Sequence, residues 1–213
     1  MDKLLNFFTE IGKLKDLKRK GWVLRGIKDP ESVADHIFRA TLMAWVLGRR
    51  KHGLNIEKVM KMALIHDICE VYAGDTTQYD SLLAHKSKKE IEKLTHSWPR
   101  FSDSERKKLS LQKFKKEKKA LEKLTKNLSH DLGKEMMDLW MDYENGKTKE
   151  GRFFKQMDRL ENFLQATEYW KKHKSLSQKS WWDQARESFD DPVLLEFMGR
   201  IDKQFHTQTK KRK

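Results

Sequence analysis

The sequence predicts an all-α protein, and three observations support this fold class. Only three prolines and ten glycines interrupt the 213 residues, so long stretches are free of residues that break helices. Apolar side chains recur at the spacing of one helix face in most of these stretches. We find no persuasive strand pattern anywhere in the chain.

The predicted helices follow one another with short breaks between them. We expect them over about residues 3–15, 30–51, 56–73, 132–144 and 149–172, with a last helix after residue 192. Asp29 and Pro30 favour the start of the second helix, and Gly53 favours its end. The helix over 56–73 is apolar on more than one side, which is typical of a helix at the centre of a domain. The segment 19–26 contains two glycines and is predicted to be a loop.

The positive charge of the chain is concentrated in two segments. The net charge is +14, and residues 86–126 contain 15 Lys and Arg against 6 Asp and Glu. We interpret residues 98–126 as a basic helical insertion in a single domain of residues 1–213, and residues 207–213 as a basic, disordered tail. Such a surplus attracts nucleotides, RNA or acidic lipids, although a charge run is more often a solvated helix face.

The composition also limits the compartment in which the protein acts. No apolar run approaches the roughly 18 residues needed to cross a bilayer, and the N-terminus does not resemble a signal peptide. The single cysteine, Cys69, cannot form an internal disulfide. We therefore expect a cytoplasmic protein without a membrane segment.

A His-Asp pair within the predicted central helix is the most informative motif. Glu70 follows His66 and Asp67 by four and three positions, so all three would project from nearly the same helix face. Buried charges are normally paired or bound to a metal, and a divalent cation would be a common partner. Two alternatives stay open. His66 could be a core histidine with Asp67 at the surface, and Glu70 could form a surface ion pair with Lys61 or Lys172.

Two residues on other predicted helices support the metal interpretation. His36 lies near the apolar face of its helix, and Asp158 lies close to the buried side of another. Two imidazoles and two carboxylates suit manganese, cobalt, iron, magnesium or zinc, with positions left open for water. A thiolate site is excluded as a pattern because Cys69 has no second cysteine beside it.

The order of these motifs resembles the HD-domain phosphohydrolase superfamily, and more narrowly its 5′-deoxynucleotidases. The similar features are a His after Ser-Val-Ala-Asp, a His-Asp pair with Glu three positions on, a Gly-Asp step, and a late Asp in Lys-Gln-Met-Asp-Arg-Leu-Glu. The similarity includes Gly21-Trp22-Val23 and Tyr169, and it covers most of residues 1–172 except the basic section. It implies a helical bundle around a central metal site, and a homodimer.

The resemblance also implies a role for each matching residue. The implied ligands of one divalent metal ion are His36, His66, Asp67 and Asp158. The implied catalytic residues are Glu70, which handles the attacking water, and Asp75. Thr76 and Thr77 belong to a loop that contacts substrate, and Trp22 lies near the sugar, where it favours deoxyribose.

One position departs from the family pattern. Gly21 stands where some members have an arginine that orients the phosphate. Arg19, Lys20 or Arg25 would substitute for it, and the two arginines have the better shape for a bidentate phosphate contact.

The sequence therefore predicts an enzyme, a metal-dependent phosphomonoesterase whose substrates are (deoxy)nucleoside 5′-monophosphates. One alternative keeps the metal but changes the substrate to a phosphodiester or a nucleoside polyphosphate. The other alternative is a non-catalytic protein that binds nucleic acid through the basic section.

Overall fold

The computed structural model describes residues 1–84, 86–87, 90–91, 94, 101–172 and 189–210. Within these ranges the regular elements are helices, apart from one antiparallel bridge between Lys18 and Ser32. The prediction of an all-α protein is therefore confirmed. None of the described helices is long and apolar enough to cross a membrane.

The described α-helices are named here in chain order. They are α1 (Asp2–Gly12), α2 (Lys20–Val23), α3 (Val33–Gly48), α4 (Ile56–Ile65), α5 (Glu70–Ala73), α6 (Asp80–Leu83), α7 (Asp103–Thr125), α8 (His130–Asn145), α9 (Lys149–Lys172) and α10 (Pro192–Lys210). A 3-10 turn over Lys13–Lys15 follows α1. The segment predicted to be a loop thus contains the short helix α2, and α10 extends into the predicted tail.

The start of α3 differs from the prediction. The helix begins at Val33, because Ser32 and Asp35 cap it in place of Asp29. The Asp35 carboxylate accepts hydrogen bonds from the amide and the hydroxyl of Ser32 at 2.8 and 2.7 Å, and the hydroxyl accepts one from the Asp35 amide at 3.1 Å. This reciprocal pairing satisfies amides at the helix start. α3 also ends early, at Gly48 instead of near Gly53.

Residues 56–73 form two helices instead of the one predicted. α4 ends at Ile65, a turn covers residues 66–69, and α5 begins at Glu70. Nδ1 of His66 donates a hydrogen bond of 2.7 Å to the carbonyl of Ala63, which in a regular helix accepts from the amide of Asp67. The amide of Glu70 bonds to the carbonyl of Asp67, only three positions earlier. The interruption therefore falls at the residues to which the sequence assigns the chemistry.

The chain divides into two compact units, each built from two separate segments. The first unit comprises Met1–Asp35 and Asp67–Asp138, and the second comprises His36–His66 and Leu139–Lys213. In the first unit α7 packs against α1 and α5. In the second unit α9 packs against α4 and α10. The single domain and the insertion over residues 98–126 stay predictions.

Each unit has its own apolar core. Buried side chains of the first unit include Leu14, Trp22, Ile68, Cys69, Ala73, Leu121 and Leu124. Those of the second unit include Ala40, Val59, Met62, Trp140, Phe153, Phe154, Met157, Leu160, Phe163 and Leu194. α9 supplies several of the large side chains in the second set, and burial of this apolar surface is the main force that fixes the helix in place.

The second unit requires a glycine where α9 begins. A Cβ atom at Gly151 would lie 2.6 Å from both the carbonyl oxygen and Oδ1 of Asp142. The carbonyl belongs to the main chain of α8. The carboxylate accepts hydrogen bonds from Thr148 and forms an ion pair with Lys58. Neither oxygen can move away without the loss of other contacts. α8 and α9 therefore approach this closely only because position 151 has no side chain.

We expect Gly151→Ala to lower the free energy of unfolding by about 1–3 kcal/mol, the usual cost of overpacking. Thermal unfolding followed by circular dichroism measures this loss as a lower Tm. Gly199→Ala is the control, because a Cβ at that position in α10 meets nothing within 4 Å. It should keep or raise the Tm, since alanine favours a helix over glycine. An unchanged Tm for Gly151→Ala would contradict the close approach.

Candidate active site

His66 is oriented by a hydrogen bond from one ring nitrogen. Its Nδ1 donates to the carbonyl of Ala63 at 2.7 Å. Because a carbonyl oxygen only accepts hydrogen bonds, Nδ1 carries a proton, and in the neutral ring Nε2 keeps the lone pair. The side chain is 1% exposed, and its ring meets Tyr143 and Phe154 edge to face. The ring orientation is thus fixed by both packing and hydrogen bonding.

His36 on α3 is oriented by a carboxylate in the same unit. Its Nδ1 hydrogen-bonds to Oε2 of Glu161 on α9. Burial alone would raise the pKa of Glu161, but the hydrogen bond from His36 and the charges of His36 and Arg39 lower it. Glu161 therefore stays ionised and accepts the bond, which places a proton on Nδ1 of His36, so in the neutral ring Nε2 has the lone pair that a metal ion needs.

The two histidines point these lone pairs at each other beside Asp158. Their Nε2 atoms lie 3.2 Å apart. Oδ1 of Asp158 lies 3.1 Å from Nε2 of His36 and 3.9 Å from Nε2 of His66. Tyr143 donates to Oδ2 of Asp158 at 2.9 Å, and Asn162 donates to Oδ1 at 3.1 Å. Three electron-rich atoms at such distances repel one another unless a positive charge joins them, and they suit a divalent cation.

Sequence reasoning missed two residues of this network, Glu161 and Arg39. Arg39 donates from Nε to Oε1 of Glu161 at 2.7 Å and from Nη1 to Glu168 at 3.0 Å. Glu161 follows Asp158 by three positions, and Arg39 follows His36 by three, so each shares a helix face with a predicted ligand. A charged residue at this spacing from a predicted ligand was the signal that could have found both.

Two predicted acids of the first unit, Asp67 and Asp75, lie beside a shared arginine. Nη1 of Arg19 donates to Oδ2 of Asp67 at 2.8 Å, and its Nε lies 4.0 Å from Oδ2 of Asp75. The amide of Lys20 donates to the same oxygen of Asp75 at 2.7 Å. Asp67 is 8% exposed, so the alternative that places it at the surface is wrong.

Glu70 lies at the start of α5 and is 1% exposed. Burial, together with the charges of Asp67 and Asp75, raises the pKa of Glu70 well above its usual value. Its Oε2 has no hydrogen-bond partner in the part of the chain that the structure describes. The alternative of a surface ion pair is therefore wrong. A buried carboxylate with a raised pKa is a candidate for proton transfer.

Trp22 and Arg25 lie together near the start of the first unit. Trp22 is 3% exposed, and its Nε1 donates to Glu31 at 2.9 Å. Nη1 of Arg25 donates to the carbonyl of Gly21 at 2.7 Å, and its guanidinium lies 5.8 Å from the centre of the Trp22 ring. Burial lowers the pKa of Arg25 to about 10. A role for either residue in substrate binding stays a prediction.

The predicted threonines lie in the loop between α5 and α6. The hydroxyl of Thr77 donates to Oδ1 of Asp80 at 2.7 Å, and Nζ of Lys20 donates to Oδ2 of the same carboxylate at 2.6 Å. Oγ1 of Thr76 is buried without a hydrogen-bond partner among the described residues. Thr77 is therefore engaged in holding the loop, whereas Thr76 has hydrogen-bonding capacity left for a ligand.

Comparison with known proteins assigns this arrangement to a family. The model of the HD domain family matches residues 11–97 and 102–191. The 5′-deoxynucleotidase HDDC2 of Dictyostelium discoideum is 36% identical over 204 residues, which are 91% of this chain and 94% of that protein. The 5′-deoxynucleotidase HDDC2 of Homo sapiens is 31% identical, over 93% of this chain and 84% of that protein.

Solved structures give the same result for the fold. A structure described as a predicted metal-dependent phosphohydrolase from Magnetospirillum magnetotacticum is 25% identical, with a TM-score of 0.64 over 95% of this chain and 93% of that chain. A conserved hypothetical protein from Pyrococcus furiosus is also 25% identical, with a TM-score of 0.63 over 93% of this chain and 99% of that chain.

We expect Glu161→Gln to weaken the binding of Mn²⁺ or Co²⁺ by about 10–100-fold, the usual effect of losing a carboxylate behind a histidine ligand. Isothermal titration calorimetry on the metal-free protein measures this change. Glu168→Gln is the matched control, because Glu168 contacts the same arginine from the same helix without reaching His36. Equal effects of the two substitutions would contradict a specific role for the bond between His36 and Glu161.

Proposed function

The chain belongs to the HD domain family, and we propose that it is a metal-dependent 5′-deoxynucleotidase, which removes phosphate from (deoxy)nucleoside 5′-monophosphates. The names of its relatives support the substrate class, and they belong to proteins that align along most of this chain. The observation that carries the metal dependence is the convergence of the two histidine Nε2 atoms beside Oδ1 of Asp158.

The residues that would hold the cation fit a divalent metal. They are His36, His66, Asp67 and Asp158. Asp67 follows His66 directly in the chain, and its carboxylate can serve the same ion as the two imidazoles. Two imidazoles with two carboxylates suit manganese, cobalt, iron, magnesium or zinc. Cys69 does not join them, because burial and the charge of Glu117 raise the pKa of its thiol and keep it protonated.

A divalent cation held at this site would lower the pKa of a bound water and polarise a phosphoryl oxygen. The chain supplies the proton acceptor. Glu70 is buried and its raised pKa makes it a stronger base than an ordinary carboxylate, so we assign it the proton of the attacking water. Asp75 orients that water, since the Lys20 amide and Arg19 hold its carboxylate in place.

Arg19 is the best replacement for the arginine that some relatives have at the position of Gly21. Its guanidinium lies at Asp67 and close to Asp75, beside the carboxylates of the site. The ammonium of Lys20 instead bonds to Asp80, and the guanidinium of Arg25 bonds to a main-chain carbonyl. We therefore assign the phosphate contact to Arg19.

The remaining substrate contacts follow from the family pattern. Trp22 would pack against the sugar and favour deoxyribose, while Thr76 and Thr77 would contact the nucleotide from their loop. The homodimer and the cytoplasmic location belong to the same proposal.

We expect the protein with Mn²⁺ or Co²⁺ to release inorganic phosphate from deoxynucleoside 5′-monophosphates, and His66→Ala and Asp67→Ala to lower kcat/KM by at least about 100-fold. A malachite-green assay over a nucleotide panel, with and without a chelator, measures this. His52→Ala is the control, because His52 is exposed and should leave the activity unchanged.

The panel also separates the two alternatives. Pyrophosphate or tripolyphosphate released from nucleoside polyphosphates, or cleavage of a phosphodiester, would replace the monophosphatase by another hydrolase of this family. Salt-sensitive binding to RNA that survives both the chelator and His66→Ala, without turnover, would instead identify a nucleic-acid-binding protein.

A further inference from the structure

The basic helix α7 has one edge that faces protein instead of water. Glu117 on this edge is 3% exposed, although the lysines around it are mostly solvated. It shares the face with Ala120, Leu121 and Leu124, which are buried where α7 packs in the first unit. A carboxylate at such a depth needs a cation nearby. Lys113, one turn earlier, supplies it, with Nζ 3.4 Å from Oε1 of Glu117.

Glu117 therefore holds the ammonium of Lys113 on α7, the helix that packs against α5. Although partial burial lowers the pKa of Lys113, the charges of Glu117, Asp67, Glu70 and Asp75 raise it overall. Lys113 is thus within electrostatic reach of the three site carboxylates of this unit, and it stays charged. Its side chain is 45% exposed, so an ammonium with three donors keeps some of them available to a ligand.

A buried hydroxyl of the same unit can donate a hydrogen bond to such a ligand. Oγ1 of Thr76 is buried without a hydrogen-bond partner among the described residues. Arg19 and Lys20 of the same unit share their charge with acids, since Arg19 pairs with Asp67 and Lys20 with Asp80. A phosphate dianion beside several carboxylates needs additional positive charge, and Lys113 is placed to give it.

We propose that Lys113, held in place by Glu117, is a phosphate-binding residue of the active site. The proposal rests on the phosphohydrolase function and extends it, because it gives the basic section a defined task. Lys115 offers a comparison, because it lies two residues further on, about 200° around the helix, and is exposed.

The test compares Lys113→Met with Lys115→Met in the Mn²⁺-loaded protein. We expect Lys113→Met to weaken the binding of inorganic phosphate by about 10-fold, the loss of one charge-assisted hydrogen bond, and to raise KM for a deoxynucleoside monophosphate similarly. Calorimetry with inorganic phosphate and steady-state kinetics measure the two effects. Lys113→Arg should restore most of the phosphate binding, and Lys115→Met should change neither quantity.

A second variant separates phosphate binding from folding. Lys113→Met together with Glu117→Gln leaves no unpaired buried carboxylate, so its Tm should stay near that of the wild type while phosphate binding stays weak. Wild-type phosphate affinity in this double variant would overturn the proposal, and so would an equal loss in Lys115→Met. If Lys113→Met weakens phosphate binding but the wild type hydrolyses no monophosphate, only the proposed substrate is wrong.

Discussion

The site of this protein depends on where two protons are held. Each histidine gives the hydrogen on Nδ1 to a fixed acceptor, the Ala63 carbonyl for His66 and the Glu161 carboxylate for His36. In the neutral rings both Nε2 atoms therefore have lone pairs, and the two atoms lie 3.2 Å apart beside Asp158. This arrangement is unfavourable without a positive charge. The helices α3, α4 and α9 therefore position these groups for a cation that they have in common.

The three carboxylates of the first unit lie in different environments. Arg19 and the Lys20 amide donate hydrogen bonds to Asp67 and Asp75, whereas Glu70 is buried with one oxygen that has no partner among the described residues. Two of the acids thus have hydrogen-bond donors, whereas burial and their charges raise the pKa of the third, Glu70, and make it a stronger base. Different environments for neighbouring acids are a common means of dividing binding from proton transfer.

Much of the fold could be predicted from the sequence, since helical periodicity is a local property. The bounds of α9 agree with the prediction, and the helical class is confirmed. The errors in the predicted helix bounds arose where contacts with residues distant in the chain determine the local structure. Asp29 and Ser32 are both acceptable caps, and the bridge from Lys18 to Ser32 selects the second. The turn at residues 66–69 interrupts an apolar stretch, because a histidine side chain competes for a main-chain carbonyl, which periodicity does not show.

The site residues likewise fall into two groups: those that sequence motifs identify and those that only contacts between helices identify. The motif order pointed to His36, His66 and Asp158, and the structure brings these three together. Glu161 and Arg39 were missed because their importance comes from a contact between α3 and α9 that no single segment contains. Lys113 was hidden for the opposite reason, since the abundance of lysines around it masked its position on the packed edge of α7.

The two acceptors behind the histidines differ in a way that matters for evolution. The partner of His66 is a main-chain oxygen, so the acceptor itself does not depend on which side chain stands at position 63. The partner of His36 is a side chain, and its charge can be altered by one codon change. Lineages that adapt to a different metal supply would therefore accumulate their changes around α9, while the end of α4 stays constant in chemistry.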